Sequence, residues 1–88
     1  MNHRTLPRYW QYYAELPKDI QALADKNFKL LKANPYHPSL HFKKVGTSKQ
    51  LWSVRVSADY RALGREIPDG VLWFWIGTHA EYNKLLNR

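Results

Sequence analysis

The sequence has no cysteine, which excludes disulfide frameworks, zinc ribbons and thiol catalysis together. That absence fits a reducing compartment. The longest unbroken apolar run, Val71 to Ile76, is six residues, against the ~18 that suggest a membrane-crossing helix. Met1-Asn2-His3-Arg4 is followed by no apolar stretch of the kind a secretory signal needs. A cytoplasmic protein without membrane partners is expected. No glycine-rich phosphate loop exists, and Ser39, Ser48, Ser53 and Ser57 lack the flanking glycines of a nucleophile elbow. Acidic residues are scarce: 7 Asp and Glu stand against 14 Lys and Arg, a net charge of +7 on 88 residues. So much positive charge on a small body attracts polyanions, because each phosphate it neutralises releases condensed counterions.

What the chain does have is aromatic and aliphatic bulk. Four Trp, six Tyr and three Phe within a 44% apolar composition can build a core, which excludes intrinsic disorder. No repeat or linker divides the sequence, so residues 1–88 are expected to form one domain. A short strand is predicted near Asn2 to Leu6, then a helix from Pro7, where proline suits the first turn. After Pro17, the residues Ile20, Leu23, Ala24, Phe28, Leu30 and Leu31 recur at intervals of three and four, predicting a helix over 17–33 that stops at Asn34-Pro35. Asp25 and Lys29 have the favourable i, i+4 spacing on its polar side. Leu40 to Val45 is a predicted strand. Leu51 to Val56 alternates, with Trp52, Val54 and Val56 on one face and Ser53 and Arg55 on the other. Tyr60 to Ile67 and Val71 to Gly77 flank the turn Pro68-Asp69-Gly70, and the second run, apolar on both faces, predicts an interior strand. Thr78 can cap a last helix over 79–86. The class is α+β with a mostly antiparallel sheet.

Metal chemistry has little to work with. His3, His37, His41 and His79 show no i, i+4 pair with a carboxylate, and His37 and His41 read as polar residues of an exposed turn. The sharper constellation is cationic: Lys43, Lys44, Arg55, Arg61 and Arg65 fall on successive predicted strands. Arg61 and Arg65 share a parity and so one face. Arg61 stands beside apolar neighbours where burying a guanidinium is costly; its structural alternative is an ion pair with Asp59 or Glu66. His79 follows the end of the interior strand, and imidazole exchanges protons near neutral pH. Its structural alternative is capping or packing.

These residues carry a resemblance. Phe28 to Pro35, His37 to Val45, Trp52 to Val56, Asp59-Tyr60-Arg61-Ala62-Leu63 and Ile76-Gly77-Thr78-His79-Ala80-Glu81-Tyr82, in that order and spacing, resemble the RelE/ParE superfamily of bacterial type II toxins over nearly the whole chain. The resemblance implies a four- to five-stranded, mostly antiparallel sheet with two N-terminal helices on one face and a short C-terminal helix. In the RelE branch it implies a ribosome-dependent endoribonuclease that cleaves mRNA in the A site by 2′-hydroxyl attack, without metal or cofactor, and is neutralised by a cognate antitoxin. Arg61 would then stabilise the phosphorane, whose oxygens match a guanidinium fork, and His79 would be the general acid. Arg55 with Lys43 or Lys44 would hold the RNA backbone or lower the pKa of the attacking hydroxyl. Arg65 extends that surface, and Tyr82 would stack on a base. The pattern departs from relatives that place two lysines where Ser53 and Arg55 stand, and from those with a glutamate base; His41 is the candidate base. Gly64 stands where many relatives have a bulkier residue. The alternative from the ParE branch is a non-nucleolytic inhibitor of DNA gyrase.

Overall fold

Two prolines set the helical register. Pro7 opens α1 (Pro7–Ala14) directly behind the short strand β1 (Asn2–Thr5), and Pro17 precedes α2 (Lys18–Ala33). Helix α2 ends at Asn34, whose backbone (φ −151°, ψ 80°) has left the helical region that Pro35 disfavours for the residue before it. The computed structural model describes residues 1–46 and 50–87, so Ser48 lies outside the described residues. The remaining elements are β2 (Lys43–Lys44), β3 (Leu51–Ser57), β4 (Tyr60–Ile67), β5 (Gly70–Thr78) and α3 (His79–Leu86). The five strands form one sheet in the order β1-β5-β4-β3-β2, with only the β1–β5 pair parallel. Strand β5 is thus interior, as its two-sided apolar pattern predicts.

The strand expected over Leu40 to Val45 shrinks to Lys43–Lys44. Pro38–Leu40 forms a single 3-10 turn instead, capped by the His37 ring, whose Nδ1 accepts from the Ser39 N–H. His41 then takes a left-handed backbone (φ 45°) that turns the chain, and Leu40 is driven into the core, fully buried. The expected Asp25–Lys29 pair gives way to another contact: Asp25 accepts from the Tyr13 hydroxyl at 2.9 Å, which ties α2 to α1.

Helices α1 and α2 cover one face of the sheet through Tyr9, Ala24, Leu31, Val54, Val56, Ala62, Val71, Trp73 and Ile76. A second cluster of Leu63, Trp75 and Tyr82 joins α3 to the other face, with Val45, Phe74, Leu85 and Leu86 packed around it. Trp73 and Trp75 are two residues apart and would share a face in a regular strand. They do not, because the register slips between the pairs Leu63–Trp75 and Gly64–Trp73, leaving Phe74 as the extra residue of a β-bulge. The bulge sends one indole to each core. Each indole lies over a glycine: a Cβ at Gly64 would stand 2.8 Å from the Trp73 ring, and one at Gly77 would stand 2.5 Å from that of Trp75. Gly64, the departure noted in the sequence, is therefore the space that Trp73 occupies.

Candidate active site

Ladder partners share a sheet face, so the register assigns each cation to a side. Arg55 lies directly opposite Arg61, and Leu51 opposite Arg65; Lys43 lies opposite Ser53, next but one to Arg55. Lys43, Arg55, Arg61 and Arg65 therefore belong to the α3 side of the sheet. Lys44, opposite Trp52, belongs to the other side. There its ammonium pairs with Glu66 at 3.3 Å and lies over the Trp52 ring. The expected place of Lys44 beside Arg55 is thus corrected by one step of strand pleat. His41 is exposed and, among the described residues, makes no hydrogen bond or ring contact with Arg55, Arg61 or His79.

Arg61 forms neither of the ion pairs anticipated for it. Its Nη1 donates to the carbonyls of Ser57 at 2.5 Å, Tyr60 at 2.9 Å and Ala58 at 3.3 Å, closing the turn between β3 and β4. Partial burial, then the Arg55 charge across the ladder, pull the guanidinium below its ordinary pKa; Tyr82 and Asp59 work in the opposite direction. A guanidinium stays protonated under such pressure. Nη2 and Nε have no partner among the described residues and remain able to meet an anion.

His79 is the first residue of α3. The capping is done by Thr78: its hydroxyl accepts from the Glu81 N–H at 3.2 Å, while Glu81 Oε1 accepts from the Thr78 hydroxyl and N–H, a reciprocal capping box. His79 is thereby freed from capping. Its own N–H donates to the Asp59 carbonyl at 2.7 Å, and its ring stacks on Tyr82 with centroids 5.6 Å apart. Tyr82 is 7% exposed and packed with Leu63 and Trp75. It has no free face for a base, and its place in the structure is as the backing of His79. The imidazole instead opens on a cleft of about 460 Å³ lined by Asp59, Tyr60, Thr78, Ala80 and Asn83.

Asp59 in that cleft was legible only as a possible partner of Arg61 and as part of its motif, since no local spacing connects it to His79. Trp75 and Gly77 were legible only as strand. The β-bulge that lays the Trp75 ring across Gly77, next to Arg61 in the ladder, has no sequence signature beyond the apolar run. Among the described residues no group of three or more His, Asp or Glu could hold a metal ion, and no helix is long and apolar enough to cross a membrane.

A mostly antiparallel sheet with two helices on one face, a capped helix on the other and a cluster of cations beside it defines a small α+β domain with a surface for an anionic partner. The chain belongs to the ParE-like toxin domain family, whose model matches residues 18–84, and so is a toxin of the RelE/ParE superfamily. Solved structures with the same fold include a chain of the RelB–RelE antitoxin–toxin complex of Methanococcus jannaschii (TM-score 0.75, 11% identity, 93% of this chain and 96% of that one). A chain of the RelBE2 toxin–antitoxin complex of Mycobacterium tuberculosis matches with TM-score 0.70 and 20% identity over 89% and 96% of the two chains. The YoeB/ParE toxin of Agrobacterium tumefaciens matches with TM-score 0.66 and 16% identity over 90% and 99%. No curated protein sequence matches the chain.

Proposed function

We propose that the protein is the nuclease type of toxin, a ribosome-dependent endoribonuclease that cleaves mRNA in the A site and is held inactive by a cognate antitoxin. The observation that carries this is the Arg55–Arg61 pair: two arginines directly opposite each other in the ladder, the charge of Arg55 acting on Arg61, with no carboxylate ion-paired to either among the described residues. Like charges so placed are destabilising, and an RNA phosphate between them removes the repulsion. Arg61, through Nη2 and Nε, and Arg55 stabilise the charge that develops on the phosphorane. Their field also favours ionisation of the attacking 2′-hydroxyl, whose proton passes to solvent water as the 2′-oxygen bonds to phosphorus and the 5′-oxygen leaves. His79, held by its N–H to Asp59 and by its stack on Tyr82, delivers a proton to the leaving 5′-oxygen. Lys43 and Arg65 extend the backbone-binding face. The antitoxin partner is supported by the RelB-bound state of the structural relatives; its chemistry should be acidic, to offset the +7 charge.

The test is to induce the toxin and map new 5′ ends on translated mRNA. New ends within codons in the wild type, lost in Arg61→Ala and His79→Ala, are expected; cutting by both variants at the wild-type rate overturns the assigned roles. The match to the ParE-like family favours one second reading, inhibition of DNA gyrase. Loss of supercoiling with intact mRNA would select it.

A further inference from the structure

We propose that Glu81 is a positioning residue for proton delivery by His79, acting through Thr78 and without touching RNA. The inference rests on the nuclease reading and adds to it what holds the proposed acid in place. Helix α3 is eight residues long, about two turns. Helices shorter than ~12 residues are marginal by themselves, because fixing the first turn costs more conformational entropy than its hydrogen bond returns. In α3 that turn is closed by side chains. The Thr78 hydroxyl accepts from the Glu81 N–H at 3.2 Å, while Glu81 Oε1 accepts from the Thr78 hydroxyl at 2.9 Å and from the Thr78 N–H at 3.3 Å. His79 sits inside this closed loop.

The backbone of His79 is also fixed from outside, by its bond to the Asp59 carbonyl, but its ring is not. Among the described residues the imidazole makes no hydrogen bond, and its ring contact is the stack on Tyr82. Side chains three positions apart meet in this way where the chain between them is helical. Tyr82 is anchored by burial against Leu63 and Trp75, so the direction of the imidazole follows from the helicity of residues 79–82, the segment that the Thr78–Glu81 bonds close.

Its place in the fold keeps Glu81 out of the reaction itself. The cleft on which His79 opens is lined by Asp59, Tyr60, Thr78, Ala80 and Asn83, whereas Glu81 lines a different cleft on the α1 side, with Tyr12 and Glu15. Thr78 belongs to both, and the link from Glu81 to His79 runs through it. What Glu81 supplies is an acceptor oxygen, which an uncharged amide also carries. Its charge is not what positions the acid.

The experiment uses the leaving group to isolate the proton. His79 donates to the 5′-oxygen as the bond between phosphorus and that oxygen breaks; a sulfur in its place departs as a thiolate, the conjugate base of a group with pKa about 8.5, and needs no proton. Single-turnover cleavage by the full chain is measured on ribosomes carrying mRNA with either the oxygen or the bridging sulfur at the scissile bond, with a urea melt of each variant. On the oxygen substrate Glu81→Ala should cut about ten- to a hundredfold slower at saturating toxin, the cost of a misplaced catalytic group, at an unchanged half-saturating concentration. Glu81→Gln should restore most of that rate. On the sulfur substrate Glu81→Ala and His79→Ala should both approach the wild type, while Arg61→Ala stays slow. Glu81 is exposed, so its variants should fold; if Glu81→Ala does not, Thr78→Ala is read in its place and should give the same pattern. A folded Glu81→Ala that is equally slow on both substrates, or as fast as wild type on the oxygen one, overturns the positioning role, and so does a Glu81→Gln as slow as Glu81→Ala. In each of those cases the wild type still cuts and the nuclease reading stands. A wild type that cuts neither substrate overturns that reading, and this inference falls with it.

Discussion

Arg61 and His79 fasten the same four-residue turn from two sides. The Arg61 guanidinium holds the carbonyls of Ser57, Ala58 and Tyr60, and the His79 N–H holds that of Asp59. Eighteen positions apart in the chain, they are brought to one end of the molecule by the β4–β5 ladder, which pairs Arg61 with Gly77 and Tyr60 with Thr78. The turn is therefore a rigid part common to the proposed phosphate-binding group and the proposed acid.

Arg61 has a structural part as well as the proposed chemical one, and the two separate by measurement. Arg61→Ala should cost about 2 kcal/mol in urea unfolding, the usual worth of hydrogen bonds from a charged donor. It should lower mRNA cutting by roughly a hundredfold or more, as the loss of an oxyanion-stabilising donor does. Arg61→Lys, which retains the charge without the planar fork, should recover part of the stability and little of the cutting. A variant as active as wild type would remove Arg61 from the chemistry and leave it as a turn clamp.

The pleat predicts a contrast between neighbours. Lys43→Ala should weaken RNA binding and reduce the slope of log affinity against log salt by about 0.7, one phosphate contact on a single strand. Lys44→Ala should leave both nearly unchanged, because its ammonium sits on the opposite face against Glu66 and Trp52. Equal effects from the two would show that RNA wraps the sheet edge.

Two glycine substitutions probe the two cores separately. Gly64→Ala drives a methyl toward Val71 and the Trp73 ring, with approaches of 2.4 Å and 2.8 Å. It should destabilise the fold by about 3 kcal/mol, the upper range of overpacking. Gly77→Ala pushes the Trp75 ring from its seat, so it should cost stability and also disturb the surface beside Arg61. Thermal melts compared with cutting assays check both; an activity loss in Gly77→Ala no larger than its stability loss explains would detach Trp75 from the site.

Stability should fall on mild acidification, and His3 is the reason. Its ring is buried against Trp73, whose indole N–H donates to His3 Nδ1 at 3.2 Å. The bond requires Nδ1 to be unprotonated, which leaves the proton on Nε2, a buried atom with no partner. Burial first, then the N-terminal amine and Lys32, hold the imidazole below its ordinary pKa. The unfolded chain binds the proton more readily than the folded one, so this contribution is complete above about pH 6.5 and is lost as pH falls from there through the lowered folded value. Urea midpoints measured from pH 7.5 to 5 should drop, and His3→Gln should flatten the slope. An unchanged slope would assign the acid sensitivity elsewhere.

Much of this architecture was legible because it is local. The spacing of Ile20, Ala24, Phe28 and Leu31 marks a helix, Pro17 and Pro35 mark its ends, and Thr78 with Glu81 spells a cap; each is a contact within a turn or two of chain. The strand misread over Leu40 to Val45 failed for a local reason too: His37 and Pro38 make a 3-10 turn that competes with pairing. Asp25 was misread for a tertiary one, since Tyr13 on another helix outbids Lys29 for its carboxylate.

By itself the sequence determined the class of fold, the surplus of positive charge and the pairing of Arg61 with His79 as candidates, all of which follow from composition, short-range periodicity and motif order. Only the tertiary structure decided that Trp73 and Trp75 serve different cores, that Lys43 and Lys44 face apart, that Tyr82 backs His79, and that Arg61 clasps a turn. Those facts depend on strand register and one bulged residue, Phe74. Register is set by which side chains fit together across the sheet, a relation between distant segments that no single stretch of chain contains.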